Sequence, residues 1–229
     1  MKTYFKNHIL TSKPGIYLWP ILAIYLATIA RFAANAPLGD GIRFWAYAGN
    51  LLKGAYATSE VGMLHMGPGY PMLLSVFRGL DIPIFVAITL NAILLFGACV
   101  YLYKIISKLI HPKTALVITY LFAFWDPFLL YWMQKLYSEP LVVFLVVFSI
   151  YHMLHYYKED QKSSLYKISL ALGYLALTKV IFGYVLLVFL LISAIIYLFS
   201  KQSVFKKNIV ISGLALLFCI PYLGYTYKE

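Results

Sequence analysis

The sequence predicts an all-α membrane protein with about seven transmembrane helices, plus juxtamembrane and re-entrant helices in a long first external loop. Three observations lead there. Of 229 residues, 62% are hydrophobic and 12% charged, about half the charged share of an ordinary soluble domain. Uncharged windows recur along the whole length, most of them near the roughly 20 residues needed to cross about 30 Å of hydrocarbon. The net charge of +11 is gathered into short segments between alternate windows, the pattern of cytoplasmic loops rather than of a nucleic-acid-binding face.

The first window, Pro14 to Ala30, follows Lys2, Lys6 and Lys13. Its apolar part is long, and Ala34-Asn35-Ala36 runs into Pro37, a poor cleavage context, so it reads as an uncleaved span. Beyond it, Phe44 to Leu52 (FWAYAGNLL) reads as a short amphipathic helix suited to the headgroup zone. Gly67-Pro68-Gly69-Tyr70-Pro71 then opens a short interfacial or re-entrant helix over Pro68 to Arg78. The later spans are Ile82 to Tyr103, Thr114 to Trp125 (continuing past Asp126 to Gln134), Pro140 to Tyr157, Ile168 to Thr178, Val180 to Ser200 and Asn208 to Tyr227. Ile168 to Thr178 is short, but the stems of Lys167 and Lys179 can snorkel outward to extend it. Residues 1–229 are thus read as one polytopic transmembrane domain, with a first external loop over about 35–83.

This count makes the N-terminus and the loops near 104–113, 158–167 and 201–207 cytoplasmic, and they hold twelve of the nineteen Lys and Arg residues. An eighth span over Pro68 to Arg78 would invert every later loop and put Lys104, Lys108 and Lys113 outside. Six of the eight acids, Asp40, Glu60, Asp81, Asp126, Glu139 and Glu229, then fall on or near the external face, although they played no part in setting the orientation. Cys99 and Cys219 lie inside apolar windows as lipid-facing or packing residues, which indicates neither a disulfide framework nor a metal cluster.

Four stretches carry the chemistry, each with a plainer reading beside it. In LGDGIRFW, Asp40 is either a turn or helix-capping residue for a helix from about Ile42, or a carboxylate at the membrane surface, beside Arg43, able to take a proton from a hydroxyl. LHMGPGYPMLL turns the chain back toward the bilayer, and its His65 is a surface residue, a proton-transfer partner or a lone metal ligand. In WDPFLLYWMQKLYSEPLVVF, Ser138-Glu139-Pro140 is sound helix-start chemistry, yet a carboxylate at that depth also suggests a partner or substrate. In LALTKVIFGYVLL, Lys179 either snorkels or meets an anion at the surface, a lipid phosphate being the obvious candidate.

Taken in order, these stretches resemble the integral-membrane glycosyltransferases of the GT-C superfamily, in particular the N-terminal transmembrane module of the protein O-mannosyltransferase and lipid A aminoarabinose transferase branch. The resemblance implies transfer of a sugar, with inversion, from a polyprenyl phosphate carrier to a glycan, lipid or protein acceptor on the extracytoplasmic face. It implies Asp40 as general base, Glu139 in the external cavity, and Arg43, His65, Tyr70 and Lys179 around the donor phosphate and substrate. It requires no cofactor with certainty and leaves a divalent metal open. The chemistry is coherent, because attack at the anomeric carbon needs a carboxylate near the acceptor and cations near the departing phosphate. Two other classes remain open from the residues: a non-catalytic lipid- or glycan-binding subunit or flippase-like protein, and a transporter. Nearly every ionisable group lies at a helix end, which disfavours a transport path.

Overall fold

The computed structural model describes residues 14–56 and 66–228. Ten α-helices account for most of them: α1 (Pro14–Phe32), α2 (Asp40–Leu52), α3 (Gly69–Gly79), α4 (Ile84–Ile106), α5 (Pro112–Ala123), α6 (Glu139–Glu159), α7 (Lys162–Thr178), α8 (Val180–Ser200), α9 (Ser203–Leu217) and α10 (Ile220–Lys228). A five-residue π-helical turn, Phe128–Trp132, lies between α5 and α6. Among the described residues there is no strand, only an isolated antiparallel bridge between Met66 and Lys179.

Among the described residues, four helices are long and apolar enough to cross a membrane: Gly15–Phe32, Ile84–Ile106, Glu139–Glu159 and Val180–Ser200. A fifth span results if Ser203–Leu217 and Ile220–Tyr227, bent by 48° at their junction, act as one. That is fewer than the seven expected from composition. The window from Thr114 onward yields the 12-residue α5, which rises only about 18 Å. It stops at Ala123, with Phe124 (φ −98°, ψ 18°) and Trp125 outside the helix; the backbone is helical again at Asp126 and Pro127 and continues as the π turn. Ile168 to Thr178 falls in the 17-residue α7, whose first turns carry Lys162 and Lys167.

Two compact units divide the chain, Met1–Trp45 with Val76–Val147 and Ala46–Ser75 with Phe148–Glu229. In the first, α1 and α5 pack on α4. Tyr25, fully buried, donates from its hydroxyl to the Ala123 carbonyl at 2.8 Å, and Tyr120 donates to the Tyr17 carbonyl at 2.7 Å. These bonds tie the last turn of α5 to the first turn and the middle of α1, where dispersion alone gives no register. Arg78, at the end of α3, donates to the Trp45 carbonyl and lies over the Trp45 ring, 5.6 Å from its centroid. In the second unit α7, α8 and α9 pack together around Ala176, Leu186, Ala215 and Cys219 near one end and Tyr156, Ile168 and Ile211 near the other. Lys207 pairs with Asp160 at 2.5 Å beside the latter cluster. Both cysteines are free and buried, so they are packing residues.

Candidate functional site

The first unit contains Asp40, Arg43 and Glu139. The helix expected from about Ile42 begins at Asp40 itself, in the first turn of α2, after Gly39 in the left-handed region at φ +57°. A Cβ at Gly39 would stand 2.9 Å from the Tyr137 hydroxyl, and one at Gly41 3.0 Å from both Cβ and the carbonyl oxygen of Leu136. The glycines around Asp40 therefore serve a close approach as well as a turn: α2 starts in contact with the segment that leads into α6. Glu139 opens α6, two residues beyond Tyr137. Asp40 and Arg43 are exposed, and Glu139 is half-buried.

Tyr137 is the common neighbour of the two acids. Its hydroxyl donates to the Tyr131 hydroxyl at 3.2 Å, and the two rings stack at 5.3 Å with 21° between their planes. Lys135 Nζ lies 4.3 Å from the Tyr131 ring centroid. The hydrogen bond to Tyr131, then burial, then the negative charges that include Asp40 and Glu139 push the Tyr137 hydroxyl up to about 12, so it stays protonated at neutral pH. The turn bearing these residues is held from below. Asn91 of α4, fully buried, donates from Nδ2 to the carbonyls of Lys135 (2.7 Å) and Trp132 (3.4 Å). The Ala34 amide donates to the Gln134 carbonyl at 3.1 Å. Ser138 stands where a cap was expected, and its carbonyl accepts from the Val142 amide at 2.9 Å. Its hydroxyl is buried and finds no hydrogen-bond partner among the described residues, so the capping explanation of Ser-Glu-Pro holds for the backbone and not for the side chain.

The second unit contains Tyr70 and Lys179. Lys179 is an extended residue, φ −134° and ψ 107°, separating α7 from α8, and its backbone pairs with Met66. A Cβ at Gly69 would lie 2.5 Å from Thr178 Oγ1 and 2.7 Å from Thr178 N, so Gly-Pro-Gly is bare where it crosses the Leu-Thr-Lys corner. Tyr174 donates to the Gly69 carbonyl at 2.7 Å, and Tyr70 in the first turn of α3 is fully buried. Tyr56 donates to the Met66 carbonyl at 2.5 Å, stacks on Tyr47 at 4.7 Å and is met edge-on by Tyr222 and Tyr225. Burial pushes the Tyr56 hydroxyl above its usual range. His65 lies outside the described residues. Val180, immediately after Lys179, begins an apolar cavity of about 410 Å³ lined by Tyr184, Leu187, Leu216, Cys219 and Tyr222 among others. Among the described residues no three His, Cys, Asp or Glu side chains come together as a metal-ligating group.

The model of the dolichyl-phosphate-mannose-protein mannosyltransferase family matches residues 65–225. The chain belongs to this family. No curated protein and no solved structure matches it. The matched region of this mannosyltransferase-family protein takes in the Gly-Pro-Gly turn, the Ser-Glu-Pro corner and Leu-Thr-Lys, while Gly-Asp-Gly lies upstream of it. Membership makes the protein a membrane glycosyltransferase of the kind that uses a dolichyl-phosphate-linked sugar, and its long apolar helices make it an integral membrane protein. Sequence reasoning missed three residues that organise these stretches. Asn91 was legible as the one amide within a 22-residue uncharged window, and Tyr137 as the aromatic directly before Ser-Glu-Pro. Nothing in the sequence singled out Tyr56.

Proposed function

We propose that the protein transfers a sugar from a polyprenyl phosphate carrier to a glycan, lipid or protein acceptor on the extracytoplasmic face, with inversion and with Asp40 as general base. The observation that carries this reading is the approach of Asp40 and Glu139 to one buried tyrosine, supported by membership of the mannosyltransferase family. Asp40 accepts the proton of the acceptor hydroxyl as its oxygen bonds to the anomeric carbon. The bond from that carbon to the phosphate oxygen breaks, its electron pair goes to the phosphate, and polyprenyl phosphate leaves. Glu139 adds negative potential on the side where the sugar gains positive character. Arg43, His65, Tyr70 and Lys179 are the proposed partners of the donor phosphate and substrate, a cation being worth most against the charge that develops on the leaving group. The apolar cavity that starts beside Lys179 suits an isoprenoid tail.

The same proposal includes the branch shared by protein O-mannosyltransferases and aminoarabinose transferases, and one polytopic domain over 1–229. It also includes a cytoplasmic N-terminus, external residues 35–83, and seven spans, with α5 and the π turn completing one crossing and α7 another. Cysteine labelling from outside intact cells tests the orientation: single cysteines at positions 40 and 139 are expected to react, and one at position 108 to stay protected. The catalytic assignment is tested by sugar transfer from dolichyl phosphate mannose in membranes, comparing wild type with Asp40→Asn. Loss of at least about a hundredfold is expected for removal of a general base, and equal rates eliminate Asp40 as the base. The cavity, with almost no polar lining, favours a second reading, a lipid-binding subunit without chemistry. Donor binding with no transfer by the wild type would select it.

A further inference from the structure

We infer that Tyr137 is a positioning residue for sugar transfer, its side chain seating the turn that presents Asp40 beside Glu139. This rests on the reading of Asp40 as the base. The tyrosine is held on several sides: it is 8% exposed, its ring stacks on Tyr131, and its hydroxyl bonds to that of Tyr131. Lys135, over the Tyr131 ring, is anchored through its carbonyl to Asn91. Against this fixed group sits the most deformable residue of the motif. The Tyr137 hydroxyl occupies the space next to Gly39 that a Cβ would enter, 2.9 Å away, and Gly39 holds the left-handed turn immediately before Asp40. The Gly41 contact with Leu136 and the amide bond from Ala34 to Gln134 fix the same two segments at two further points.

The acid at position 40 is therefore referenced to the α6 entrance through Tyr137 rather than through its own helix. An exposed carboxylate at a helix start otherwise has freedom to shift by the ångström that general-base catalysis cannot tolerate. The ionisable groups around the tyrosine are Asp40 on α2, Glu139 on α6, and Tyr131 on the turn, with Lys135 over the Tyr131 ring. None of these needs to change protonation for the tyrosine to act.

The test uses the full chain in membranes with dolichyl phosphate mannose as donor. Tyr137→Phe is expected to lower kcat by about tenfold or more with donor KM within about twofold, because the loss is in alignment and not in binding. Tyr131→Phe, which leaves the Tyr137 ring in place and removes its hydroxyl partner, is expected to lose about threefold. Adding Tyr137→Phe to Asp40→Glu should change the rate by less than about twofold, since both act on one step. A Tyr137→Phe enzyme at the wild-type kcat, a loss confined to KM, or full additivity with Asp40→Glu overturns the inference. Should Tyr137→Phe fail to fold, Tyr131→Phe decides: an unchanged kcat overturns it equally. An Asp40→Asn enzyme at the wild-type rate removes the base assignment itself, a result distinct from an active Tyr137→Phe beside an inactive Asp40→Asn.

Discussion

Replacing Gly67 by alanine should open the corner that holds Lys179. The glycine lies against the backbone at the end of α7, where a Cβ would stand 2.8 Å from the Leu177 carbonyl carbon and 3.2 Å from that of Thr178, and closer still to the Leu177 oxygen. Ordinary contact begins at 3.4 Å. The atoms in the way are main chain, fixed by the Lys179 amide donating to the Leu175 carbonyl at 2.9 Å and by Tyr174 donating to Gly69. No side-chain rotation relieves the clash, so the Met66–Lys179 bridge must separate. Overpacking of this kind costs about 1 to 3 kcal/mol, and a lost backbone hydrogen bond adds about 1 kcal/mol. The sum, about 2 to 4 kcal/mol, corresponds to a fall of roughly 5 to 15 °C in the thermal midpoint for a chain of this size. The assay is thermal unfolding of the detergent-solubilised protein beside Gly213→Ala, a helical glycine with nothing within 4 Å of its missing Cβ, where alanine is neutral or stabilising. If Lys179 contacts the donor, Gly67→Ala also raises donor KM. A midpoint equal to wild type would refute the packing argument for the Gly-Pro-Gly corner.

Asn91→Leu removes the side-chain donor to the carbonyls of Lys135 and Trp132; leaving buried acceptors short of a partner costs about 1 to 3 kcal/mol. The expected result is a lower midpoint together with slower transfer, whereas stability loss without any rate loss would separate Asn91 from the site. The Tyr137 hydroxyl, raised above its usual range to about 12, contributes stability that is complete at neutral pH and is lost as pH rises through about 12, because the folded chain holds that proton more tightly than the unfolded one. Wild type should therefore lose stability more steeply than Tyr137→Phe across that alkaline window, measured by denaturant unfolding at stepped pH; parallel profiles count against it.

The helices were legible because apolar windows of span length admit little else, and the breaker cluster Gly67-Pro68-Gly69 marked a short helix that the structure places at Gly69–Gly79. The number of long spans was not. A hydropathy window measures composition, and it passes over a break that costs only one or two residues. α5 stops at Ala123, far short of a bilayer, with Phe124 and Trp125 outside the helix, and the short window Ile168 to Thr178, set apart from Val180 to Ser200 by Lys179, lies in a helix of 17 residues. Asp40, Glu139 and Lys179 were visible as rare ionisable groups in a greasy chain, where each is expensive enough to need a reason. Asn91 and Tyr137 carried weaker signals, a lone amide in an apolar window and an aromatic before Ser-Glu-Pro, while Tyr56, one tyrosine among twenty-one, acquires meaning only from what a distant segment places beside it.

Within each unit the residue with chemical potential has a neighbour whose missing side chain admits another segment. Gly39 and Gly41 flank Asp40 and admit Tyr137 and Leu136, and Gly67 and Gly69 admit Leu177 and Thr178 beside Lys179. Gly15 and Gly213, by contrast, have open space around them and no charged neighbour in sequence, while Gly54, open as well and next to Lys53, serves a turn at φ +83°. In a chain with few polar side chains, hydrogen bonds between side chains are too scarce to aim a carboxylate or an ammonium. Close packing of one segment on another is the remaining means, and it fixes position only where a Cβ would have kept the segments apart. Substitutions at these glycines should therefore act on the geometry of Asp40 and Lys179 more than on the helices they interrupt, because helix formation does not depend on the contact and the placing of the charge does.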